Sequence, residues 1–455
     1  MPPRRLGAIL SICGLSLLSV GAGPARAAED KWQGAVPKLA QDNGAWVILS
    51  RNLVRSGMYY GALAAAKRMT IFFSDLPTKE AAYQTIVNLI DGGYPLPARE
   101  LFATADIEPD PSAQPDFANS YYLYKAILSQ DKKIDRWAEY YFAKVDRQNF
   151  PKYLYYKTLE QYGNGDLLGA ADTLRKILAR DLPAAQLPLL TKASRTLARI
   201  YFEQREYEKS LDIYESFLLR LNPIFPSDWL EAAWDHYYLK QYEKSLGDLY
   251  NLESKAAGAS INLEKYSLRA LIYRHTCSQP RLDALIDSFN RNFGGFVSGI
   301  KRGAPLTDFP ILKTVLLPEN RVYNQNVTTL SNLNAEVPQI SSLPAEQRAL
   351  AGYLYRTEAQ MLTRSIRAHT SQALSRVASE LLVMSEQLRF LKFDIARSRF
   401  NPDTVFKPNP EQTPTPVLLE GADHETYSLS WPQVGEYWID ERNKYEGVLP
   451  NQCVP

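Results

Sequence analysis

The feature that most constrains this fold is an apolar pattern that recurs along residues 43–295. In its clearest copy, residues 194–223, large and small residues alternate at steps of three and four positions. That spacing puts them on one face of each of two helices. Two small residues, Ala198 and Ser210, stand where the helices of such a pair must approach closely. The pattern predicts a pair of packed helices, and a chain built of such pairs is all-α.

The same pattern recurs at a period close to that of a known repeat. Leu167, Tyr207 and Tyr242 occupy equivalent places in successive copies, and Trp229 belongs to the same copy as Tyr242. Further copies contain Trp46, Tyr83 and Tyr122, and a capping helix pair is expected from Leu263. This spacing resembles the tetratricopeptide repeat, a pair of helices that repeats about every 34 residues. The resemblance implies a solenoid of TPR-type helical hairpins over residues 43–295, with about six repeats stacked so that their first helices line a concave groove.

The N-terminus has the layout of a secretory signal peptide over residues 1–27. Two arginines precede an apolar run at residues 6–23, and Ala25 and Ala27 offer a small-x-small cleavage site. The mature chain, which would start with a short N-terminal segment at residues 28–42, is therefore predicted to be periplasmic. A retained membrane anchor and a lipoprotein attached through Cys13 are the alternatives. No later segment has the roughly 18 apolar residues that cross a bilayer.

Charge and motifs argue against several function classes. Removal of the leader takes three arginines and leaves 49 basic residues against 50 acidic ones, a formal net charge of −1. Nucleic-acid binding is not expected, because it requires a concentrated basic surface. The histidines (His236, His275, His369 and His424) have no partner at ligand spacing, so no metal site is predicted. We also find no phosphate-binding loop or HExxH pair. The sequence predicts neither an enzyme nor a cofactor.

Two cysteines remain after the leader, Cys277 and Cys453. In an oxidising compartment such a pair tends to form a disulfide. This bridge would tie the C-terminus to the repeats and, in the chain-entropy account, would stabilise the fold by about 5 kcal/mol. The alternative is two unrelated thiols.

The region after the repeats is predicted to have two parts. Glycine, proline and asparagine at residues 296–343 favour an irregular linker with short helical pieces at most. Residues 344–400 favour a long helical segment, with apolar steps of three and four over residues 374–395 that form a coiled-coil seam. The helix either runs unbroken or folds into a hairpin near residues 368–371. The seam packs on the chain's own helices, on a partner, or on a second copy in a homo-oligomer.

Residues 401–455 are predicted to form an extended tail that is rich in proline and then in aromatic residues. Trp431, Tyr437 and Trp438 need a surface to cover. The tail is therefore expected to lie across the repeat domain near Cys277. The competing interpretation is a docking motif for another protein.

The sequence Glu436-Tyr437-Trp438-Ile439-Asp440-Glu441, with a cysteine close to the terminus, also carries a resemblance. It is similar to the C-terminal signature of large periplasmic tetratricopeptide proteins of deltaproteobacteria, some of them associated with gliding-motility machinery. The resemblance implies a repeat array followed by long helices, and a role in an envelope complex.

The candidate site is the concave groove. Inward-facing positions of the first helices hold basic and aromatic residues, namely Arg51, Arg55, Lys192, Arg195, Arg199, Trp234, Tyr237 and Tyr238. A basic strip beside aromatic side chains suits a peptide or chain terminus with a carboxylate. Replacing Arg195 and Arg199 by alanine should then weaken partner binding without unfolding the chain. In the alternative interpretation the charges are solvated and the aromatic residues pack on the next helix.

Three functions are compatible with this sequence. The first is a protein-protein interaction scaffold in a bacterial envelope complex, with other envelope proteins as partners. The second is an adaptor in polysaccharide export or outer-membrane assembly, and the third is a cell-wall enzyme or its activator. Acidic and aromatic residues along a continuous groove would favour a polymer, whereas isolated basic pockets would favour protein termini.

Overall fold

A computed structural model describes most of the chain, namely residues 36–92, 102, 107–222, 224–252, 263–309, 321–400, 444–447 and 449. Every regular element in these ranges is a helix, which confirms the predicted all-α fold. No helix among the described residues is long and apolar enough to span a membrane. The predicted signal peptide lies outside the described part of the chain.

The repeat region is a succession of helix pairs, in which the two helices of each pair pack on one another. The paired helices are α1 (Asn43–Arg55) with α2 (Tyr59–Phe72), α4 (Pro115–Asp131) with α5 (Asp135–Ala143), α6 (Pro151–Gly163) with α7 (Leu167–Leu178), α8 (Leu187–Glu203) with α9 (Tyr207–Ser216), α10 (Pro226–Tyr238) with α11 (Tyr242–Asn251), and α12 (Glu264–His275) with α13 (Gln279–Lys301). One further helix, α3 (Leu76–Asp91), follows the first pair, and most of its predicted partner helix falls outside the described residues.

In each of these six pairs, the turn between the two helices contains one residue with a left-handed backbone conformation. These residues are Gly57, Lys133, Gly165, Arg205, Lys240 and Cys277. The N–H of the following residue bonds a carbonyl five positions back, as in Met58 to Leu53 and Gln241 to His236, both at 2.8 Å. This is the Schellman geometry that ends many helices. Only two of the six residues are glycine, the type that adopts this backbone without steric cost. Residue type alone therefore does not reveal the turn.

The residues of the apolar pattern form the core, as predicted. Trp46 is completely buried and Trp229 is 2% exposed, and both belong to extended apolar clusters. The small residues Ala198 and Ser210 are also completely buried, where α8 and α9 approach each other. Burying a large apolar side chain stabilises a fold by about 1.5–3 kcal/mol, so each of these residues contributes to the cohesion of the array.

The long helix is unbroken from Ala345 to Phe400 and is called α15. Its N-terminal half packs on the first pair, through Leu350 and Leu354 among others. The residues of the coiled-coil seam from Leu374 to Leu388 pack on α12 and α13, so the seam meets the chain's own helices. Residues 362 and 374 are about 18 Å apart along a helix. The array therefore curves back until its first and last pairs contact one helix.

The prediction of an irregular linker at residues 296–343 is wrong for much of that stretch. Helix α13 continues to Lys301, and residues Arg321–Glu336 form a helix, α14, that packs along α15. A short 3-10 segment at Val337–Ser342 then leads into α15. The polar composition of α14 hides its single apolar face, where Leu333 is almost completely buried.

The last residue of α14, Glu336, connects this region to the first helix pair. The Glu336 carboxylate is largely buried and accepts the backbone N–H groups of Tyr60 and Gly61, each at 2.9 Å. It also accepts the Tyr355 hydroxyl at 2.7 Å. A carboxylate at a helix N-terminus satisfies free N–H groups and interacts favourably with the helix dipole. Glu336 thus caps α2 from a distant part of the sequence.

The described part of the C-terminal tail lies on α11, in agreement with the predicted position across the repeats. The Gly447 N–H donates to the Glu243 carbonyl at 2.8 Å, and Leu449 is buried in the core cluster of α8–α12. A Cβ at Gly247 would stand 1.6 Å from the Tyr445 carbonyl oxygen, so only glycine lets the tail come this close.

Candidate binding groove

A cavity of about 410 Å³ lies where the first helices of four successive pairs meet. Helices α6, α8, α10 and α12 contribute polar and aromatic side chains to its wall, and α9 contributes Ser210 and Tyr214. Three of the eight predicted groove residues, Arg199, Trp234 and Tyr238, line this cavity together.

Side-chain contacts along the cavity connect each first helix to the next. The Tyr162 hydroxyl on α6 donates to the Glu203 carboxylate on α8. Arg199 on α8 donates from Nε and Nη2 to both carboxylate oxygens of Glu231 on α10, at 2.8 and 2.5 Å. The indole N–H of Trp234 on α10 donates to Glu264 on α12 at 2.8 Å. The groove wall is therefore a set of cross-links between neighbouring repeats.

Arg195 is held even more firmly than Arg199. Its Nε and Nη2 atoms donate to the two carboxylate oxygens of Asp228 at 2.6 and 2.8 Å, and the guanidinium lies 4.8 Å from the centre of the Phe225 ring. Asp228 is completely buried. Bidentate pairs of this kind fix both partners, so Arg195 acts as a tie between α8 and α10.

The predicted basic strip is thus divided into separate parts. Arg51 and Arg55 are exposed on α1, and neither is ion-paired within the described ranges. Lys192 is exposed on α8. The structure places α1 on another pair, away from the cavity on α6–α12.

Aromatic side chains form a continuous contact series beside the cavity. Tyr238 is 45% exposed, and its ring stacks on Tyr207 at 4.7 Å between centroids. Trp234 stacks on Tyr238 at 6.0 Å, and Phe202 meets Tyr238 edge-on at 5.4 Å. Tyr237 does not line the cavity, and its ring contacts Tyr242 and His275 as well as the edges of this series at Trp234 and Tyr238. The aromatic residues therefore both pack on neighbours and present rings to the groove.

A buried acidic network lies beneath the cavity, and the sequence did not reveal it. Glu231 also accepts the Tyr214 hydroxyl, and burial together with this carboxylate raises the pKa of Tyr214 well above its usual value. Ser210 donates to Asp235 Oδ2 at 2.7 Å. Burial raises the pKa of Asp235 to about 7, although the Ser210 hydrogen bond opposes the shift. Asp235 Oδ1 is buried without a hydrogen-bond partner in the described structure, so this carboxyl group is poised to carry a proton near neutral pH.

A second buried polar contact joins His236, which follows Asp235 in the sequence, to Asp248. His236 is buried, as its repeat position predicted, and its Nδ1 lies 2.9 Å from Asp248 Oδ2. Burial raises the pKa of Asp248, and the contact with His236 opposes that shift. Within the described part of the chain, no group of three or more His, Cys, Asp or Glu residues is placed to hold a metal ion.

The cavity carries a net negative formal charge. The wall residues with a formal charge at neutral pH are Arg199, Glu203, Glu231 and Glu264, one basic against three acidic. The sequence did contain a signal for the pairing of these arginines with carboxylates. The carboxylates that bind Arg195 and Arg199 lie 33 and 32 residues downstream, one repeat further on.

The predicted tail-docking residues Trp431, Tyr437 and Trp438 lie outside the described residues, as does Cys453. Cys277 is disulfide-bonded and occupies the left-handed turn between α12 and α13. Its pairing with Cys453 stays a prediction.

The fold and the groove define an all-α protein of stacked helical hairpins. Compared with protein-family models, curated proteins and solved structures, the chain has no match. The resemblance to tetratricopeptide proteins of the bacterial periplasm therefore stays a prediction from the sequence.

Proposed function

We propose that this protein is a periplasmic interaction scaffold that binds a segment of another envelope protein in the groove on α6–α12. The observation that supports it is the cavity on four successive first helices, with an exposed ring, Tyr238, at its edge. Such a cavity offers a concave wall that is already ordered by cross-links between repeats. Binding to an ordered wall costs little conformational entropy, which favours specific recognition.

The other elements suit this role because they fix the groove rather than enter it. Helix α15 packs on both the first and the last pair, and the described part of the tail packs on α11. A rigid array presents the cavity in one shape, whereas an open solenoid can flex between repeats. Association with motility machinery is one form that this scaffold role takes in the proteins that the tail motif resembles.

Site-specific photo-crosslinking tests the proposal. A benzophenone amino acid replaces Tyr238 in the full chain, and the same amino acid replaces Leu168, which is 72% exposed on the second helix of another pair, as a control. After irradiation of the native cells, we expect adducts with a defined envelope protein from position 238 alone. Identical adducts from both positions, or none from position 238, would contradict groove binding.

A second candidate, an adaptor for an exported polysaccharide, is favoured by one observation. The cavity combines acidic side chains with aromatic rings such as Tyr162 and Tyr238, and aromatic faces with hydrogen-bond acceptors suit neutral sugars as well as peptides. In that case, position 238 would crosslink to glycan in preference to protein, which gel migration before and after glycosidase treatment would reveal.

A further inference from the structure

The net negative charge of the cavity has the same sign as the carboxylate ligand that the sequence suggested. Arg199 is the one basic residue in the wall, and Glu231 already occupies its Nε and Nη2 donors. An incoming carboxylate would have to displace Glu231 from a bidentate pair, and would meet Glu203 and Glu264 beside it. Like charges placed together cost free energy, so this cavity disfavours an anionic chain terminus.

Neutral groups donate hydrogen bonds to the two other carboxylates of the wall, Glu203 and Glu264. Tyr162 donates its hydroxyl to Glu203, and this hydrogen bond is the main reason that the pKa of Tyr162 is raised. Trp234 donates its indole N–H to Glu264. Hydrogen bonds from neutral donors hold a carboxylate in place and leave its charge intact. Within the described ranges, Glu203 is in no ion pair.

The aromatic residues of the wall also favour a cation. Trp234, Tyr162 and Tyr238 all line the cavity, and the last two are more than a third exposed. The face of an aromatic ring attracts ammonium and guanidinium groups, with tryptophan the strongest, and the interaction grows when water is excluded.

We propose that this cavity binds a basic side chain, the ammonium of lysine or the guanidinium of arginine, presented by an extended polypeptide segment. Glu203 pairs with the cation, Glu264 adds negative charge in the same wall, and the rings of Trp234 and Tyr238 cover the sides of the cation. At about 410 Å³ the cavity also admits residues that flank the basic side chain. This inference rests on the proposed function and names the chemistry that the groove recognises.

A binding experiment with defined probes tests it. Fluorescein-labelled tetralysine is titrated with the full mature chain, and binding is followed by fluorescence anisotropy at low and at physiological salt. The double variant Glu203→Gln/Glu264→Gln keeps both hydrogen-bond acceptors and removes both charges. The matched control, Glu139→Gln/Glu208→Gln, removes two exposed charges on α5 and α9, away from the cavity. Thermal unfolding by circular dichroism verifies that all proteins are folded.

We expect the cavity variant to bind tetralysine about tenfold more weakly than the unchanged protein, and the control to bind within about twofold. Unlabelled tetralysine should compete, whereas tetralysine with acetylated side chains, tetraglutamate and cellohexaose should not. No binding of tetralysine, equal binding by both double variants, or equal competition by the acetylated peptide would overturn the inference. Displacement by cellohexaose would overturn it in favour of a sugar ligand.

These outcomes are separable from a failure of the scaffold proposal. If position 238 still crosslinks to one envelope protein while tetralysine does not bind, the groove is an interaction site and only the cationic assignment is wrong. If both experiments fail, neither proposal stands.

Discussion

The arginines on α1 and those on α8 occupy comparable first-helix positions, but their surroundings differ. Arg51 and Arg55 are exposed and without an ion-pair partner in the described part of the chain. Arg195 and Arg199 are each bound by a carboxylate of α10. Arg51 and Arg199 each stand six residues before the left-handed turn residue of their pair, Gly57 or Arg205. Arginine at this repeat position is thus a free surface charge on α1 and a structural tie on α8.

The difference depends on whether the next repeat has an acidic residue about one period downstream of each arginine. Asp228 and Glu231 lie one repeat beyond Arg195 and Arg199, whereas the positions 33 residues after Arg51 and Arg55 hold the uncharged residues Gln84 and Asn88. In stacked repeats, a charge on one first helix is therefore to be interpreted together with the residue one period downstream.

The largest expected effect is at Arg195. Replacing it by alanine leaves Asp228 completely buried without its partner, and breaking one side of a buried ion pair costs about 3–5 kcal/mol. The matched control, Arg51→Ala, removes an exposed charge and should cost less than about 0.5 kcal/mol. Urea unfolding followed by circular dichroism measures both. The sequence predicted that the chain stays folded when Arg195 and Arg199 are both replaced by alanine. Equal stabilities of Arg195→Ala and Arg51→Ala would contradict the role of Arg195 as a structural tie.

The second-largest expected effect is a pH dependence of folding stability that arises from Asp235. Because the pKa of Asp235 is raised to about 7, the folded state holds a proton that the unfolded state releases near its ordinary pKa. Folding stability due to this group is therefore present at low pH and is lost as pH rises toward 7, by about 1 kcal/mol per pH unit.

The variant Asp235→Asn should lack this loss. Urea unfolding at pH 5, 6, 7 and 8 compares the two proteins, and the unfolding free energy of the variant should fall less steeply between pH 5 and pH 7. Parallel curves for both proteins would show that Asp235 does not titrate in this range.

A smaller effect is expected at Arg199. Glu231 is partly exposed, so water replaces much of what the guanidinium supplies, and Arg199→Ala should cost about 1 kcal/mol. Its ranking between Arg195→Ala and Arg51→Ala is the informative result. If Arg199→Ala proved as costly as Arg195→Ala, burial of the carboxylate would not be the deciding factor.

The smallest expected effect comes from adding a carboxylate one repeat beyond an arginine that lacks one. Asn88→Glu places an acidic residue one repeat beyond Arg55, on the exposed part of α3. A surface ion pair formed there should stabilise the chain by about 0.2–1 kcal/mol in low salt and less in high salt. In the Arg55→Ala background the same substitution should give no gain. A gain of the same size in that background would show that the added glutamate acts without Arg55.

Much of the architecture was predictable because it depends on local periodicity. The helix pairs, the burial of Trp46 and Trp229, and the position of the tail on the repeats agree with the sequence. The linker prediction failed because composition was weighed above the apolar face of α14. The turns were also not predictable from residue type, since lysine, arginine and cysteine adopt the backbone that glycine favours.

The site was less predictable. The sequence identified Arg199, Trp234 and Tyr238, which the structure brings to one cavity. It did not reveal that carboxylates of the next repeat would bind the arginines, nor that Asp235 would be buried without a full set of partners. Residue type gives the charge of a side chain, but the net charge of a cavity depends on which helices surround it.

By itself, the sequence determined that this chain forms packed helix pairs, because residues three and four positions apart share a helix face whatever the rest of the chain does. The tertiary structure alone decided how the array closes and what the groove can bind. Glu336 caps a helix 275 residues away, and α15 joins the first pair to the last. Contacts at such separations leave no periodic trace in a single sequence, because they depend on how every intervening pair stacks.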